Sequence, residues 1–324
     1  MFAISQSTLR SSTSKAADSL LKTCLLTVLA IIAFAANSVL SRLALAEEAI
    51  DAASFTAVRL ITGALVLLII VSVKSLSHGQ SINLSKVVKK VVKPVSGSWF
   101  ASIMLFIYAV TFSYAYISVD TGTGALILFG SVQLTMIAIS LLVGTRLYLA
   151  EWVGILMAFS GLIYLVLPDV SSPSFNGFIL MTLSGVAWGV YTLKGRHSQA
   201  PIMDTAYNFA RTLPLVLVLI IVAFDSLNLT YQGIILAAIA GGLTSAIGYS
   251  IWYIALKGLS ATQAAVIQLS VPIIAAIGGV IFVAEPITYR LMISSLVVLG
   301  GILAVVIGRY YSINAATKTT NETR

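Results

Sequence analysis

The sequence predicts an all-α integral membrane protein with ten transmembrane helices, arranged as two inverted five-helix repeats. Three observations lead to this prediction: the apolar composition, the number of long apolar segments and an internal repeat. Hydrophobic residues make up 59% of the 324 residues and charged residues only 9%, whereas ordinary soluble domains carry about 25% charged residues. So few charged side chains cannot cover a water-facing surface, and we expect lipid to surround the chain.

Ten segments are long and apolar enough to cross a bilayer, which requires about 20 residues in a helix. The turns between most of them are short, so consecutive spans should be antiparallel neighbours. The first span is too long for the apolar core of a cleaved signal peptide, and we expect it to be retained. The ten spans are predicted at residues 21–43, 52–73, 98–118, 122–143, 149–167, 177–195, 204–224, 232–255, 261–283 and 288–310.

The internal repeat relates the two halves of the chain. The stretches TGTGALILFGSVQ and ATQAAVIQLSVPI begin 140 residues apart, and Gly161 aligns with Gly301. A second pairing sets FTAVR, which ends at Arg59, beside NFAR, which ends at Arg211. Because each copy holds five spans, an odd number, the second copy must be inverted in the bilayer. Inverted repeats around a site near the midplane are the usual plan of secondary transporters.

This repeat defines the expected organisation of the chain. The boundaries follow the apolar segments and the polar, Pro-containing linker PDVSSPSFNG. They are a cytoplasmic polar tail (1–20), the first five-helix repeat (21–167), the linker (168–176), the second, inverted repeat (177–310) and a cytoplasmic tail (311–324).

The basic residues indicate which side of the membrane each loop occupies. Fifteen Lys and Arg residues fall in one set of alternate loops and tails, and the opposite set holds only Arg42 and Arg290. Because basic residues collect on the cytoplasmic side, we expect a multi-pass protein of the cytoplasmic (inner) membrane with both termini in the cytoplasm. The same distribution explains the net charge of +8, so no nucleic-acid binding is expected. The basic stretch SKVVKKVVKP in the connection 74–97 either lies on an anionic leaflet or forms a solvated loop.

Local motifs in the two halves resemble a known group of carriers. These are AWGVY at 187–191, VAEPIT at 283–288, LGG at 299–301 and the arginine early in spans two and seven. With the ten-span repeat, they make residues 20–310 similar to the drug/metabolite transporter (DMT) superfamily, and to its EamA-type transporters in particular. The chain departs from the family pattern at Phe34 and Ala35, where a Trp-Gly pair is expected, and at Thr145, where an acid is expected. The resemblance implies a cavity surrounded by spans 1, 3, 4, 6, 8 and 9, with spans 5 and 10 at the side, and it fixes no substrate.

Arg59 and Arg211 are the charged residues that fall well inside spans. Counted along the helix at 1.5 Å per residue, Arg59 lies about 12 Å from Asp51 and Arg211 about 10 Å from Asp204. Charged residues in spans usually face the bundle interior, so we predict a gating role for both arginines, or the binding of a substrate carboxylate. The alternative is that each side chain extends to the membrane interface.

Polar and aromatic side chains near the midplane are the candidates for substrate binding. Amide and phenol groups supply hydrogen-bond donors and acceptors without a fixed charge, which suits a neutral or zwitterionic amphipathic solute. For the two glutamines, helix-to-helix hydrogen bonding is the alternative. The candidates are Asn37, Tyr108, Gln133, Trp188, Tyr191, Tyr249 and Gln268.

Four further aromatic residues fall near span ends, where an interfacial belt is expected: Tyr114, Tyr116, Trp252 and Tyr253.

Pro214 and Pro272 should each free a backbone carbonyl four residues earlier, which marks either a hinge or a packing kink. The single cysteine, Cys24, excludes an intrachain disulfide, and a small buried apolar role is expected for it.

Several expected absences narrow the function. The chain has no Gly-rich phosphate loop ending in Lys-Ser/Thr, so ATP should not drive it directly. His78 and His197 show no metal-ligand spacing, and no catalytic set falls at one membrane depth, so we expect no cofactor, no metal and no enzyme activity. No Asp or Glu lies near the middle of a span, which leaves proton coupling, exchange and uniport open.

The function predicted from the sequence is secondary transport of a small amphipathic metabolite, amino-acid-like or drug-like, with efflux as the direction. The expected partners are a small-molecule substrate and the lipid bilayer, and a homodimer is an open alternative. The alternative functions are a flippase for a lipid-linked intermediate, which would need an apolar lateral opening, and a membrane scaffold that transports nothing.

Overall fold

The computed structural model describes residues 2–77, 96–144, 148–167, 173–195, 198–259 and 261–322. Within these residues the regular structure is helical, apart from one isolated antiparallel bridge between Ile50 and Leu229. We label the helices α1 (Phe2–Ala46), α2 (Ala52–Ser77), α3 (Trp99–Ala115), α4 (Thr121–Leu142), α5 (Leu149–Val166), α6 (Phe175–Gly195), α7 (Pro201–Val222), α8 (Tyr231–Gly258), α9 (Ala261–Gln268 and Ser270–Val283) and α10 (Tyr289–Glu322).

Eight of these helices are long and apolar enough to cross a membrane: α1, α2, α4, α6, α7, α8, α9 and α10. The remaining two, α3 and α5, are shorter apolar helices. The 17 residues of α3 rise about 26 Å at 1.5 Å per residue, close to the roughly 30 Å hydrocarbon thickness of a bilayer. The all-helical membrane class predicted from the sequence is confirmed, while the number of ten spans stays a prediction.

Helix packing follows a regular scheme. The pairs α3–α6 and α4–α6 are in contact. If five is added to each helix number, and α1 is counted as following α10, these pairs become α8–α1 and α9–α1, which are also in contact. The contacts α2–α7, α4–α9 and α5–α10 map onto themselves under the same shift. The α5–α10 contact is close because Gly154 and Gly301 face each other: a Cβ on either would lie 2.5 Å from the carbonyl oxygen of the other.

Several details differ from the sequence-based expectations. Helix α1 begins at Phe2 and α10 ends at Glu322, so helical structure extends into both predicted tails. Cys24 is exposed on the apolar surface, so the expectation that it is buried is wrong. Pro214 lies inside α7, which continues through it, whereas α9 is interrupted at Leu269, close to Pro272. The basic stretch of the 74–97 connection and the linker residues 168–172 lie outside the described residues.

Candidate functional site

A cavity lies between α1, α3, α4, α6, α8 and α9, the six helices that the family resemblance places around the substrate. It encloses only about 20 Å³, roughly the space that one water molecule needs. Five of the seven predicted substrate-binding residues line it. The lining residues are Phe34, Asn37, Ser38, Tyr108, Phe112, Leu128, Phe129, Trp188, Thr244, Tyr249 and Gln268.

Aromatic rings occupy most of this central region. The ring of Trp188 lies with its centroid 4.8 Å from that of Tyr108 and 4.9 Å from that of Tyr249. Trp188 also stacks on Tyr191 at 5.3 Å, and Phe34 meets Tyr249 edge-on at 5.8 Å. Because these rings fill the space between the helices, a solute larger than water can enter only if the helices separate.

The two other predicted binding residues do not reach the cavity. Gln133 is buried on α4, one helical turn beyond the lining residue Phe129. Tyr191 is buried behind Trp188, beside Thr205 and Asn208 of α7. Neither residue lines the cavity in this conformation, and substrate binding by either stays a prediction.

Two residues of the predicted interfacial belt are also buried. Tyr116 is 0% exposed and Trp252 is 8% exposed. The ring of Tyr116 packs edge-on against Phe112, and that of Trp252 packs edge-on against Phe34. The belt assignment is wrong for these two residues, which belong to the aromatic core around the cavity.

Arg59 lies in this core, with 2% of its surface exposed. Its Nη2 donates to the Tyr108 hydroxyl at 2.8 Å, and its Nε donates to the Ser245 hydroxyl at 3.4 Å. The guanidinium also lies over two rings, 4.7 Å from the Phe112 centroid and 5.2 Å from that of Tyr108. The alternative that Arg59 extends to the membrane interface is therefore wrong.

A π-helical stretch of α8, Ala240–Ile247, supplies two adjacent hydroxyl groups to the site. Thr244 Oγ1 lies 3.2 Å from Asn37 Oδ1 on α1, while the neighbouring Ser245 contacts Arg59 on α2. The wider turn of a π-helix changes which residues share a face and is often found at functional sites. The stretch itself, AGGLTSAI, is a run of small residues, which is typical of a close helix contact and does not by itself indicate the change of helix type.

At one end of α3, α7 binds the chain segment that precedes α3. Asp204 and Asn208 accept hydrogen bonds from the backbone N–H groups of Gly97, at 2.8 Å, and Ser98, at 2.9 Å. The Nη1 of Arg211 donates to the Ser96 carbonyl at 2.8 Å, and Arg211 is 0% exposed. We call these contacts the Arg211 cluster, and they tie α7 to the start of α3.

At the other end of α3, one guanidinium joins three parts of the chain. Arg42 of α1 donates from Nε to Glu285 Oε1 at 2.7 Å and from Nη1 to the carbonyls of Tyr116 and Ile117 at 3.0 and 2.9 Å. Its Nη2 lies 3.3 Å from Asp120 Oδ1. We call these contacts, with Asp120 and Glu285, the Arg42 network.

Glu285 and Asp120 differ in their surroundings within this network. The second carboxylate oxygen of Glu285 accepts from the Thr121 N–H at 2.8 Å, which anchors the α9–α10 turn to the start of α4. The side chain of Asp120 is 51% exposed. Partial burial and the nearby Glu285 carboxylate raise the pKa of Asp120, against the opposing effect of Arg42. Sequence reasoning missed this network, although Arg42 stood out as one of two basic residues on its side of the membrane.

A second, larger cavity of about 490 Å³ opens sideways between α4, α5 and α6. Phe159 and Ile163 on its rim are more than half exposed. The buried Thr182 hydroxyl in its wall has no hydrogen-bond partner within the described part of the chain. The residues that line it are mostly apolar: Ser131, Leu134, Thr135, Phe159, Leu162, Ile163, Val166, Leu167, Phe178, Thr182 and Val186.

Comparison with known proteins places these features in context. Residues 21–167 and 175–307 match the EamA-like transporter family. An uncharacterized protein of Pseudomonas aeruginosa is 44% identical over 288 residues, which cover 89% of this chain and 96% of that protein. An uncharacterized transporter of Archaeoglobus fulgidus is 28% identical over 207 residues, which cover 62% of this chain and 73% of that protein. A solved protein structure with 17% sequence identity superposes with a TM-score of 0.60, covering 88% of this chain and 97% of its own, and shows the fold alone.

Proposed function

The chain belongs to the EamA-like transporter family, and on that premise we propose that it moves a small amphipathic metabolite, amino-acid-like or drug-like, across the cytoplasmic membrane by alternating access. Export is the proposed direction. The observation that carries the proposal is a narrow central cavity among six helices, with a separate set of contacts at each end of α3. The Arg211 cluster closes the end where α3 begins, and the Arg42 network closes the end where α3 finishes.

The proposed architecture is ten spans in two inverted five-helix repeats. The helix contacts that map onto each other when every helix number is shifted by five support this arrangement. The excess of basic residues on one side supports cytoplasmic termini. Under this topology the Arg211 cluster lies on the cytoplasmic side and the Arg42 network on the outer side.

Alternating access would then break one set of contacts while the other stays formed. Arg211 acts as a gate residue at the inner end, and Arg59 moves with the cavity wall. The α3–α4 and α8–α9 hairpins are the proposed moving parts, with Pro214 and the interrupted region near Pro272 as hinges. Coupling to protons, exchange and uniport are equally compatible with this scheme.

Metabolite profiling of medium and cytosol, with the protein overexpressed or deleted, tests the carrier function. We expect at least one metabolite to rise in the medium on overexpression and to accumulate in the cytosol on deletion. Overexpression of Arg211→Ala to the same abundance in the membrane is the control for metabolite changes that come from overexpression itself. Identical metabolite profiles in all these strains would refute transport.

Cysteine accessibility tests the alternating-access mechanism. On a Cys24→Ser background, Asp120→Cys reports on the outer end and Lys257→Cys on the inner end. A transported metabolite should change the labelling of the two positions by an impermeant thiol reagent in opposite directions. Labelling that changes in the same direction at both ends would rule out alternating access.

A second candidate function is the movement of a lipid-linked intermediate, which the apolar lateral cavity between α4, α5 and α6 favours. Proteoliposomes that contain a fluorescent phospholipid, with chemical quenching of the outer leaflet, would detect this activity. Leu134→Trp would fill the cavity and should abolish lipid movement, while Leu296→Trp on the exposed face of α10 is the matched control. Equal lipid movement in both variants and in protein-free vesicles would remove this candidate.

A further inference from the structure

The guanidinium of Arg59 has no acidic partner among the residues that the structure describes. Its polar contacts are the hydroxyls of Tyr108 and Ser245, and a second phenol, that of Tyr249, lies beside it. Its Nη1 is buried and makes no hydrogen bond with any residue that the structure describes. The charge is therefore held inside the helix bundle by aromatic faces and neutral hydroxyls alone.

Such an arrangement is costly in the absence of a ligand. A buried charge is normally paired with an opposite charge, because removing it from water carries a large desolvation cost. The rings of Phe112 and Tyr108 offset part of this cost through their negative faces. They cannot satisfy the N–H groups of Nη1, which need an acceptor in the plane of the guanidinium.

The residues around the cavity show what kind of acceptor would fit. Neither Asp nor Glu is among the eleven lining residues, so the wall carries no negative charge to pair with an amine. Tyr108 and Phe112 touch both the cavity and Arg59, so they form the partition between them. Displacement of these two rings on α3 would open the cavity towards the Arg59 guanidinium.

We propose that Arg59 binds the carboxylate of the transported solute and that this carrier selects organic monoanions with a flat apolar body. The inference rests on the proposed transport function and names the substrate class of the same site. The planar fork of an arginine matches the two oxygens of a carboxylate. The rings of Phe34, Trp188 and Tyr249 cover the apolar body, and the amides of Asn37 and Gln268 accommodate its remaining polar groups.

Three probes of the same shape and different charge test this selection: benzoate, benzamide and benzylamine. Binding to the full-length protein in nanodiscs can be followed by tryptophan fluorescence, since Trp188 lies in the site. We expect benzoate to bind more tightly than either other probe by about tenfold to a hundredfold, the range for one charge-assisted bidentate contact. Equal binding of the three probes, or tighter binding of benzylamine, would overturn the proposal.

Variants of Arg59 separate charge recognition from folding. Arg59→Gln should abolish the preference for benzoate and should not lower the melting temperature, because it removes a buried charge that has no acidic partner among the described residues. Arg59→Lys should keep a weaker preference, because it keeps the charge and loses the fork. Arg290→Gln is the control, since Arg290 also lies over a ring, that of Tyr164, but belongs to α10, which contributes no residue to the cavity lining. An unchanged benzoate preference in Arg59→Gln would contradict the assignment.

Transport assays distinguish a failure of this proposal from a failure of the carrier function. If proteoliposomes take up none of the benzoate that binds through Arg59, the carrier function is refuted and the anion site stands. If flux occurs and is fastest for benzylamine, the carrier function stands and the anion site is refuted.

Discussion

The Nε of Arg42 lies 2.7 Å from Oε1 of Glu285, 243 residues further along the chain. This ion pair joins α1 to the α9–α10 turn, and the same arginine holds the end of α3 through the carbonyls of Tyr116 and Ile117. Only 15% of the Arg42 side chain and 11% of the Glu285 side chain are exposed. The pair is therefore shielded from water, which strengthens it relative to a surface salt bridge.

Glu285→Gln should lower the free energy of unfolding by about 2 kcal/mol, because a largely buried Arg42 loses the nearer of its two charged partners and the Thr121 N–H loses a carboxylate acceptor. Asp120→Asn is the matched control and should cost less than about 0.5 kcal/mol, since its side chain is half exposed and its contact is long. Denaturant unfolding in a single detergent measures both. Equal losses would show that the two carboxylates are interchangeable.

The raised pKa of Asp120 predicts how the stability of the folded protein changes with pH. Because the folded protein holds this proton more tightly than the unfolded chain, stability falls as pH rises through the window above the ordinary value of 3.8. The wild type should therefore gain stability relative to Asp120→Asn as the pH is lowered from about 7 towards about 4. A simple salt bridge to Arg42 would give the opposite slope. Melting temperatures of both proteins across this range decide between them.

Arg211→Ala should reduce transport more than it reduces the amount of protein in the membrane, because the Arg211 cluster then loses its contact with the Ser96 carbonyl. Arg211→Lys should restore little of the lost transport, since an ammonium group cannot reproduce the planar fork of a guanidinium. Flux per folded protein, with fluorescence size-exclusion as the measure of folding, checks both variants. Wild-type flux in Arg211→Ala would remove the gate assignment.

Gly301→Val should destabilise the α5–α10 contact by about 2 kcal/mol through overpacking against Gly154. Gly300→Val is the control, because a Cβ at Gly300 would meet no atom of the described residues within 4 Å. Both variants place valine in α10, so the difference between their unfolding free energies reports packing alone. Equal stability of the two would mean that α5 and α10 can separate at little cost.

The sequence predicted the parts of the site that depend on one helix at a time. Asn37, Tyr108 and Trp188 were predicted because polar and aromatic side chains in apolar spans usually face the interior. Gln133 meets the same criterion, but it lies one helical turn beyond the cavity lining on α4. Which turn of α4 faces the cavity depends on how α4 packs against the other helices. Tyr116 and Trp252 were misassigned because a position near a span end does not show whether another helix covers it.

The contacts between distant parts of the chain could not be predicted in this way. Arg42 and Glu285 each lie beside a turn, where charged residues are ordinary, and only the packing of α1 against α9 brings them together. The lateral cavity depends similarly on how far α5 stands from α6. The π-helical stretch Ala240–Ile247 has a run of small residues as its sequence signal, which an ordinary close helix contact explains equally well.

The central cavity, at about 20 Å³, has a consequence for measured affinities. A solute must bind a more open conformation, so its apparent dissociation constant is the intrinsic constant divided by the fraction of molecules that are open. Any substitution that increases the fraction of open molecules lowers the apparent dissociation constant, wherever the substituted residue lies in the molecule. Loss of the Arg42–Glu285 contact would thus tighten the binding of a solute that neither residue touches, and a weakened protein would be the better binder.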